Sequence, residues 1–146
     1  MTALIFADTN LFIYALDEAN PEKQRAARAW RSALWKSRCG RISYQVLQEF
    51  YVNVAQKWPQ VRDKARAEVR DLLAWKPEPM RAELLEQSWK IQDRYQLSFW
   101  DSLIAAAAKS AGCHYLLTED LQENQNLDGV TVINPFHHEP STLLLT

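Results

Sequence analysis

The chain opens on a continuous apolar run, Ala3-Leu4-Ile5-Phe6-Ala7, that stops abruptly at Asp8-Thr9-Asn10. A run so short and without polar alternation suits a strand buried on both faces of a parallel sheet. Cys113 to Thr118 (Cys-His-Tyr-Leu-Leu-Thr) reads as a second such strand, and Asp128-Gly129 marks a turn before a last short strand, Val130 to Ile133. A brief strand is also expected around Arg41-Ile42. Between these runs the periodicity is helical. Asn20-Pro21 offers a cap followed by proline at the first helical position, predicting a helix from Pro21 to about Ser37. Its Ala26, Ala27, Trp30, Ala33 and Leu34 share one face, opposite Arg25, Arg28, Arg31 and Lys36. Ser43 caps a helix with Val46, Leu47, Phe50, Tyr51 and Val54 inward, and Pro59 ends or follows it. Two further helices, Arg62 to Trp75 and Arg81 to Tyr95, are separated by Lys76-Pro77-Glu78-Pro79, a spacer with room for a short edge strand. Ser98 starts a helix that runs through the alanine tract to Lys109, with Gly112 as its stop. Strands separated by helices specify an α/β/α three-layer domain with a mostly parallel central sheet.

At 146 residues the expected organisation is one domain, 1–146, whose residues from Pro135 onward form a loosely held tail. No apolar run approaches the roughly 20 residues that cross a bilayer, and no basic region precedes the first apolar stretch, so a cytoplasmic protein is expected. Cys39 and Cys113 have no partner spacing of the zinc or redox type and read as small buried side chains. The net charge of −1 is no footprint of a nucleic-acid binder, but its distribution is uneven. Pro21 to Arg41 holds seven basic residues and one acid, Glu22, while the rest of the chain carries −7. Arg25, Arg28 and Arg31 on that helix face are candidate contacts for RNA phosphates or for an acidic protein segment.

Four acids stand where chemistry is placed in this architecture. In open parallel sheets ligands bind beyond the carboxyl ends of the strands. Asp8 follows the first strand and Asp120 follows the strand ending at Thr118, although Asp is equally a common turn and cap residue. Asp101, three residues after Ser98, completes a capping-box pattern; its apolar flanks imply a partner for the charge. Glu49 falls about 60° from Val46 on the helical wheel, at the border of the apolar face, where an ordinary solvent-facing glutamate would also fit. Carboxylates brought together stay ionised only if cations join them or some take up protons. Oxygen-only ligation suits Mg²⁺ or Mn²⁺, which can activate a water and neutralise a phosphodiester with no covalent enzyme intermediate.

Asp8-Thr9-Asn10, Glu49, Trp100-Asp101-Ser102-Leu103-Ile104 and Leu117-Thr118-Glu119-Asp120-Leu121-Gln122 occur in that order and at these spacings. Together they resemble the PIN-domain family, and in particular its VapC-type toxins of bacterial toxin–antitoxin pairs. The resemblance covers the chain from Asp8 to the last strand. It implies a PIN fold, Mg²⁺- or Mn²⁺-dependent RNA cleavage, homodimerisation and inhibition by a cognate antitoxin protein. It casts Asp8 and Asp101 as principal metal ligands and catalytic residues, with Glu49 and Asp120 completing the quartet and Asn10 and Thr118 as supporting polar groups. Glu119 is an alternative to Asp120. The chain departs from the pattern after Gln122, where relatives often carry a glycine and this sequence reads Glu123-Asn124-Gln125-Asn126.

Two readings of another class compete with an endoribonuclease. A receiver-like phosphoacceptor would also place aspartates at strand ends, but it needs an early Asp pair where Asp8 stands alone, and Lys109 lies inside a helix. A catalytically silent PIN fold would only bind a partner. Of the six tryptophans, Trp30 and Trp100 fall in apolar patterns and are expected in the core; Trp35, Trp58, Trp75 and Trp89 are expected partly exposed or at a dimer interface.

Overall fold

The computed structural model describes residues 3–144; residues 1–2 and 145–146, the last two of the expected tail, lie outside the described residues. Its sheet contains β1 (Ile5–Ala7), β2 (Gly40–Arg41), β3 (Tyr115–Leu117), β4 (Asn126–Leu127) and β5 (Val130–Ile133), in the order β2-β1-β3-β5-β4. β2, β1, β3 and β5 are parallel, and β4 is an antiparallel edge on β5. All three residues of β1 are fully buried. Successive side chains of a strand point to opposite faces, so both faces of the sheet are covered there, as the unalternating run requires.

The helices are α1 (Thr9–Tyr14), α2 (Pro21–Lys36), α3 (Tyr44–Lys57), α4 (Arg62–Leu72), α5 (Ala82–Tyr95) and α6 (Phe99–Ser110). None of the described helices is long and apolar enough to cross a membrane. Helix α3 begins where the sequence places it, with Ser43 Oγ accepting from the Val46 N–H. Helix α6 stops before Gly112, which takes a left-handed φ of +79°. Helix α1 was not foreseen. At six residues it is too short to show a period, and it forms because Asp8 caps it and Leu11 and Phe12 become buried. The spacer supplies a single parallel bridge, Ser43 to Glu78, with the Glu78 N–H donating to the Ile42 carbonyl at 2.8 Å.

Three expectations need correcting. The tail through Leu144 is docked, because the Trp30 Nε1–H donates to the carbonyls of Pro135 (2.8 Å) and His138 (3.0 Å) and Leu144 is buried. Trp75 is a core residue, its ring edge-to-face with Phe12. Helix α4 gives way to a 3₁₀ turn, Leu73–Trp75, which breaks the period on which an exposed ring was expected. Trp100, expected in the core, is 63% exposed. Its helix is apolar on almost every side, so periodicity could not tell which ring faces out.

Gly40 lies directly under Trp75. A Cβ added there would stand 2.5 Å from Cζ3 of that ring and 3.0 Å from Cβ of Leu34. Both neighbours are packed on all sides, so Gly40→Ala is expected to cost about 1–3 kcal/mol through overpacking. A lower urea midpoint at unchanged m-value is the expected observation, and an unchanged midpoint would mean that the Trp75 ring moves freely.

Candidate active site

Parallel pairing places the ends of β1 and β3 side by side, with Ala7 opposite Leu117. The residues that follow, Asp8 and Thr118, therefore meet, and the Asp8 N–H continues the ladder to the Leu117 carbonyl at 3.1 Å. Asp8 Oδ1 accepts from the Thr9 N–H (2.7 Å) as the cap of α1, while Oδ2 accepts from Thr118 Oγ1 (2.9 Å). The same Thr118 oxygen accepts from the Asp120 N–H at 3.1 Å. One hydroxyl thus ties the acid after β1 to the acid after β3.

The first turn of α1 holds the other members. Thr9 Oγ1 donates to Glu49 Oε1 of α3 at 3.2 Å, and Asn10 Nδ2 donates to Asp120 Oδ2 at 3.0 Å. Asp101 sits in the first turn of α6, its N–H donating to Ser98 Oγ at 3.1 Å. The four acids line one cleft of about 90 Å³ together with Thr9, Asn10, Gln45, Asn53, Trp100 and Ile104. All four predicted acids are brought together, with Asn10 beside them. Thr118 lies beneath, buried, and reaches the cleft through Asp8 and Asp120.

Asp120, and not its neighbour Glu119, lines the cleft; Glu119 forms an ion pair with Lys23 of α2 at 2.8 Å. In the segment after Gln122, Asn124 takes φ +66° and its N–H reaches the Val132 carbonyl. Asn is among the few side chains that tolerate this region, so the loop closes without glycine. Sequence reasoning missed Thr9, Gln45, Asn53 and Trp100. Gln45 and Asn53 were findable, since they stand one helical turn either side of Glu49.

None of Arg25, Arg28 and Arg31 lines the cleft. The Arg28 Nε–H donates to the Ala15 carbonyl at 2.8 Å, and Arg31 pairs with Glu68, its Nε 2.9 Å from Oε2. Arg25 remains exposed beside the docked tail.

Electrostatically the cleft is short of positive charge. Burial pushes the Asp8 carboxyl from 3.8 up to about 6; hydrogen bonds from Thr9 and Thr118 oppose the rise, and the charges of Asp120 and Glu49 add to it. Glu49 and Asp120 are also held above the usual carboxylate range, mainly by burial and then by their acidic neighbours. Among the described residues, no three His, Cys, Asp or Glu side chains form a ready-made metal cage. A donor set of spaced carboxylates suits a hard cation that keeps part of its water shell, as Mg²⁺ does. The cysteines are no alternative ligands, being buried, with the Cys113 thiol pushed up to about 12.

A cleft at the carboxyl ends of a mostly parallel sheet, lined by acids from four separate segments, defines the class as an α/β protein with a strand-end acidic site. Within that class the chain belongs to the PIN domain family, whose model matches residues 5–125. Its fold is similar to that of a toxin–antitoxin complex from Klebsiella pneumoniae, at 23% identity and a TM-score of 0.65 over 94% of this chain and 99% of that one. It is also similar to VapC20 of Mycobacterium tuberculosis, a toxin that cleaves the sarcin–ricin loop, at 23% identity and a TM-score of 0.59 over 80% of this chain and 91% of that one. No curated protein matched the chain.

Proposed function

We propose that the protein is a divalent-metal-dependent endoribonuclease, the toxin of a toxin–antitoxin pair, acting in the cytoplasm as a single domain. The observation that carries this reading is the convergence of Asp8, Glu49, Asp101 and Asp120 on one cleft at the strand ends. Family membership and likeness to toxin structures support it. Asp8 and Asp101 are the principal ligands for Mg²⁺, with Mn²⁺ as substitute, and Glu49 and Asp120 complete the set. When bound, the ion supplies the charge that offsets a phosphodiester and lowers the pKa of an attacking water. The protein's own part is to hold the acids. Thr118 fixes Asp8 and the Asp120 backbone, Thr9 holds Glu49, and Asn10 holds Asp120. One of these same carboxylates would also serve as general base toward that water.

The proposal extends to a cognate antitoxin and a homodimer. The exposed Tyr44 and Leu73 line one surface pocket, apolar surface of the kind such contacts use. A receiver-like reading has less support: among the described residues no lysine lines the cleft, and Lys109 lies 3.8 Å from Asp128.

Incubating the purified, antitoxin-free protein with a mixed RNA pool tests the reading directly. Cleavage in Mg²⁺ or Mn²⁺ that stops in EDTA is the expected result; cleavage that ignores EDTA, or none of any RNA, would count against it. Thr118→Val removes the hydroxyl beneath two of the acids. It is expected to weaken Mg²⁺ binding by about 10–100-fold, as loss of a ligand-orienting hydrogen bond does. Calorimetric titration of the protein without RNA measures this, and Thr118→Ser should restore most of the affinity.

A further inference from the structure

We infer that Trp100, with the pocket beside it, is a binding subsite for an unpaired nucleobase of the RNA strand that enters the acidic cleft. The inference rests on the ribonuclease reading and names the form of RNA taken: a strand with at least one base free of pairing next to the phosphate that occupies the cleft.

Trp100 is the residue before Asp101, and at 63% it is the most exposed of the large apolar side chains among the described residues. The apolar body of an indole gains from burial, so a tryptophan left facing water at a cleft asks for an explanation. Phe99 meets it edge to face, with ring centroids 5.2 Å apart and planes at 73°, which braces the indole. Trp100 lines the acidic cleft and also a neighbouring pocket of about 310 Å³, whose walls include Tyr44, Leu84, Phe99 and Leu103. The two spaces share a second residue, Gln45. Its side-chain Oε1 and Nε2 are both buried, and the polar group beside them is the Glu49 carboxylate, one helical turn away, which the amide helps to hold.

A buried amide has both donors and acceptors to satisfy, and a single carboxylate, which only accepts, leaves its oxygen free for a ligand. Here it lies at the boundary between an apolar pocket and a site suited to a phosphate. A nucleobase answers each feature: a flat π-face for the indole, an apolar body for the pocket and a polar edge for the amide. A base held in a duplex presents no free face, so this subsite favours single-stranded or looped RNA.

The test uses the whole protein as wild type, Trp100→Ala and Trp100→Phe. A fluorescently labelled single-stranded RNA of mixed sequence and the same strand in a duplex are titrated in Ca²⁺. Cleavage is followed separately in Mg²⁺, and sedimentation reports oligomeric state. Because the side chain is exposed, all three proteins are expected to unfold at closely similar urea concentrations. Trp100→Ala is expected to bind the single strand about tenfold more weakly, Trp100→Phe to retain most of the affinity, and duplex binding to be unchanged. Single-strand affinity within twofold of wild type in Trp100→Ala would overturn the subsite. A change of oligomeric state without a change of RNA affinity would also overturn it, assigning the indole to a protein contact. Binding through Trp100 by a wild-type protein that cleaves nothing in Mg²⁺ would sink the ribonuclease reading while leaving the subsite standing.

Discussion

Asp8→Asn is expected to lower Mg²⁺-dependent RNA cleavage by on the order of 10³-fold, the loss of about 4 kcal/mol of transition-state stabilisation. Asp8 is the member of the quartet fixed most firmly. It is 9% exposed, it caps α1 through one oxygen, and it receives the Thr118 hydroxyl on the other. An asparagine is nearly isosteric and keeps the cap, since its Oδ1 can still accept from the Thr9 N–H. The Thr118 hydroxyl can reverse and accept from the new amide. Fold and cleft shape should survive while the negative charge facing an ion is gone. Asp101→Asn is expected to behave alike, because the change again removes charge and little volume. Glu119→Gln is the contrast: its carboxylate is engaged with Lys23 outside the cleft, so cleavage within about twofold of wild type is expected. Single-turnover rates on one RNA substrate measure all three. Equal losses in Glu119→Gln and Asp8→Asn would mean that the position of these acids in the fold does not decide function.

The same Asp8→Asn protein should be more stable than wild type once metal is removed. Burial raises the Asp8 carboxyl in the folded state from 3.8 to about 6, so the folded protein binds this proton more tightly than the unfolded chain does. The resulting stabilisation is fully present below about pH 4 and is lost as the pH rises through about 6. Above that, the folded protein carries a buried charge that the unfolded chain would hold in water. The difference corresponds to about 3 kcal/mol. In EDTA the urea midpoint of wild type, taken relative to Asp8→Asn, is expected to fall between about pH 4 and pH 7 and to be level above that. Mg²⁺ acts in the opposite sense. At a hundred times its dissociation constant, an ion that binds only the folded state adds about 2.7 kcal/mol, and this gain should appear in wild type and be largely absent from Asp8→Asn. An Asp8→Asn protein no more stable than wild type at pH 8 in EDTA would mean that the buried carboxylate is compensated without metal.

Much of the architecture was legible locally. The run from Ala3 to Ala7 and the run ending at Thr118 showed buried strands because neither alternates. Ser43 and Ser98 marked helix starts because capping chemistry is written in one to three neighbouring residues, and Pro21 marked one by its place at the first helical position, although the Asn20 side chain turns to Asp17 and does not cap. Asp8, Asp120 and Asp101 were found because a residue just after a buried strand, or in the first turn of a helix, has a position that follows from its own segment; Glu49, inside α3, joined them only through the resemblance to the PIN-domain family.

What could not be read from one segment was what each side chain meets. Helix α1 was invisible because its stability comes from Leu11 and Phe12 packing into a core assembled from elsewhere. Trp75 and Trp100 were exchanged because a helical period states which side chains share a face and not which face meets solvent. Gly40 makes room for one ring, and the cleft edge leaves the other bare. The choice of Asp120 over Glu119 waited on Lys23, which lies 96 positions earlier in the chain. The sequence by itself determined the four parallel strands, most helix boundaries and three of the four acids, since these depend on short-range patterning, whereas β4 exists only through its pairing with β5. Only the tertiary structure decided their convergence through Thr9, Asn10 and Thr118, the docking of the tail on Trp30 and the exposure of Trp100, because those depend on parallel pairing of distant strands and on packing between segments far apart in the chain.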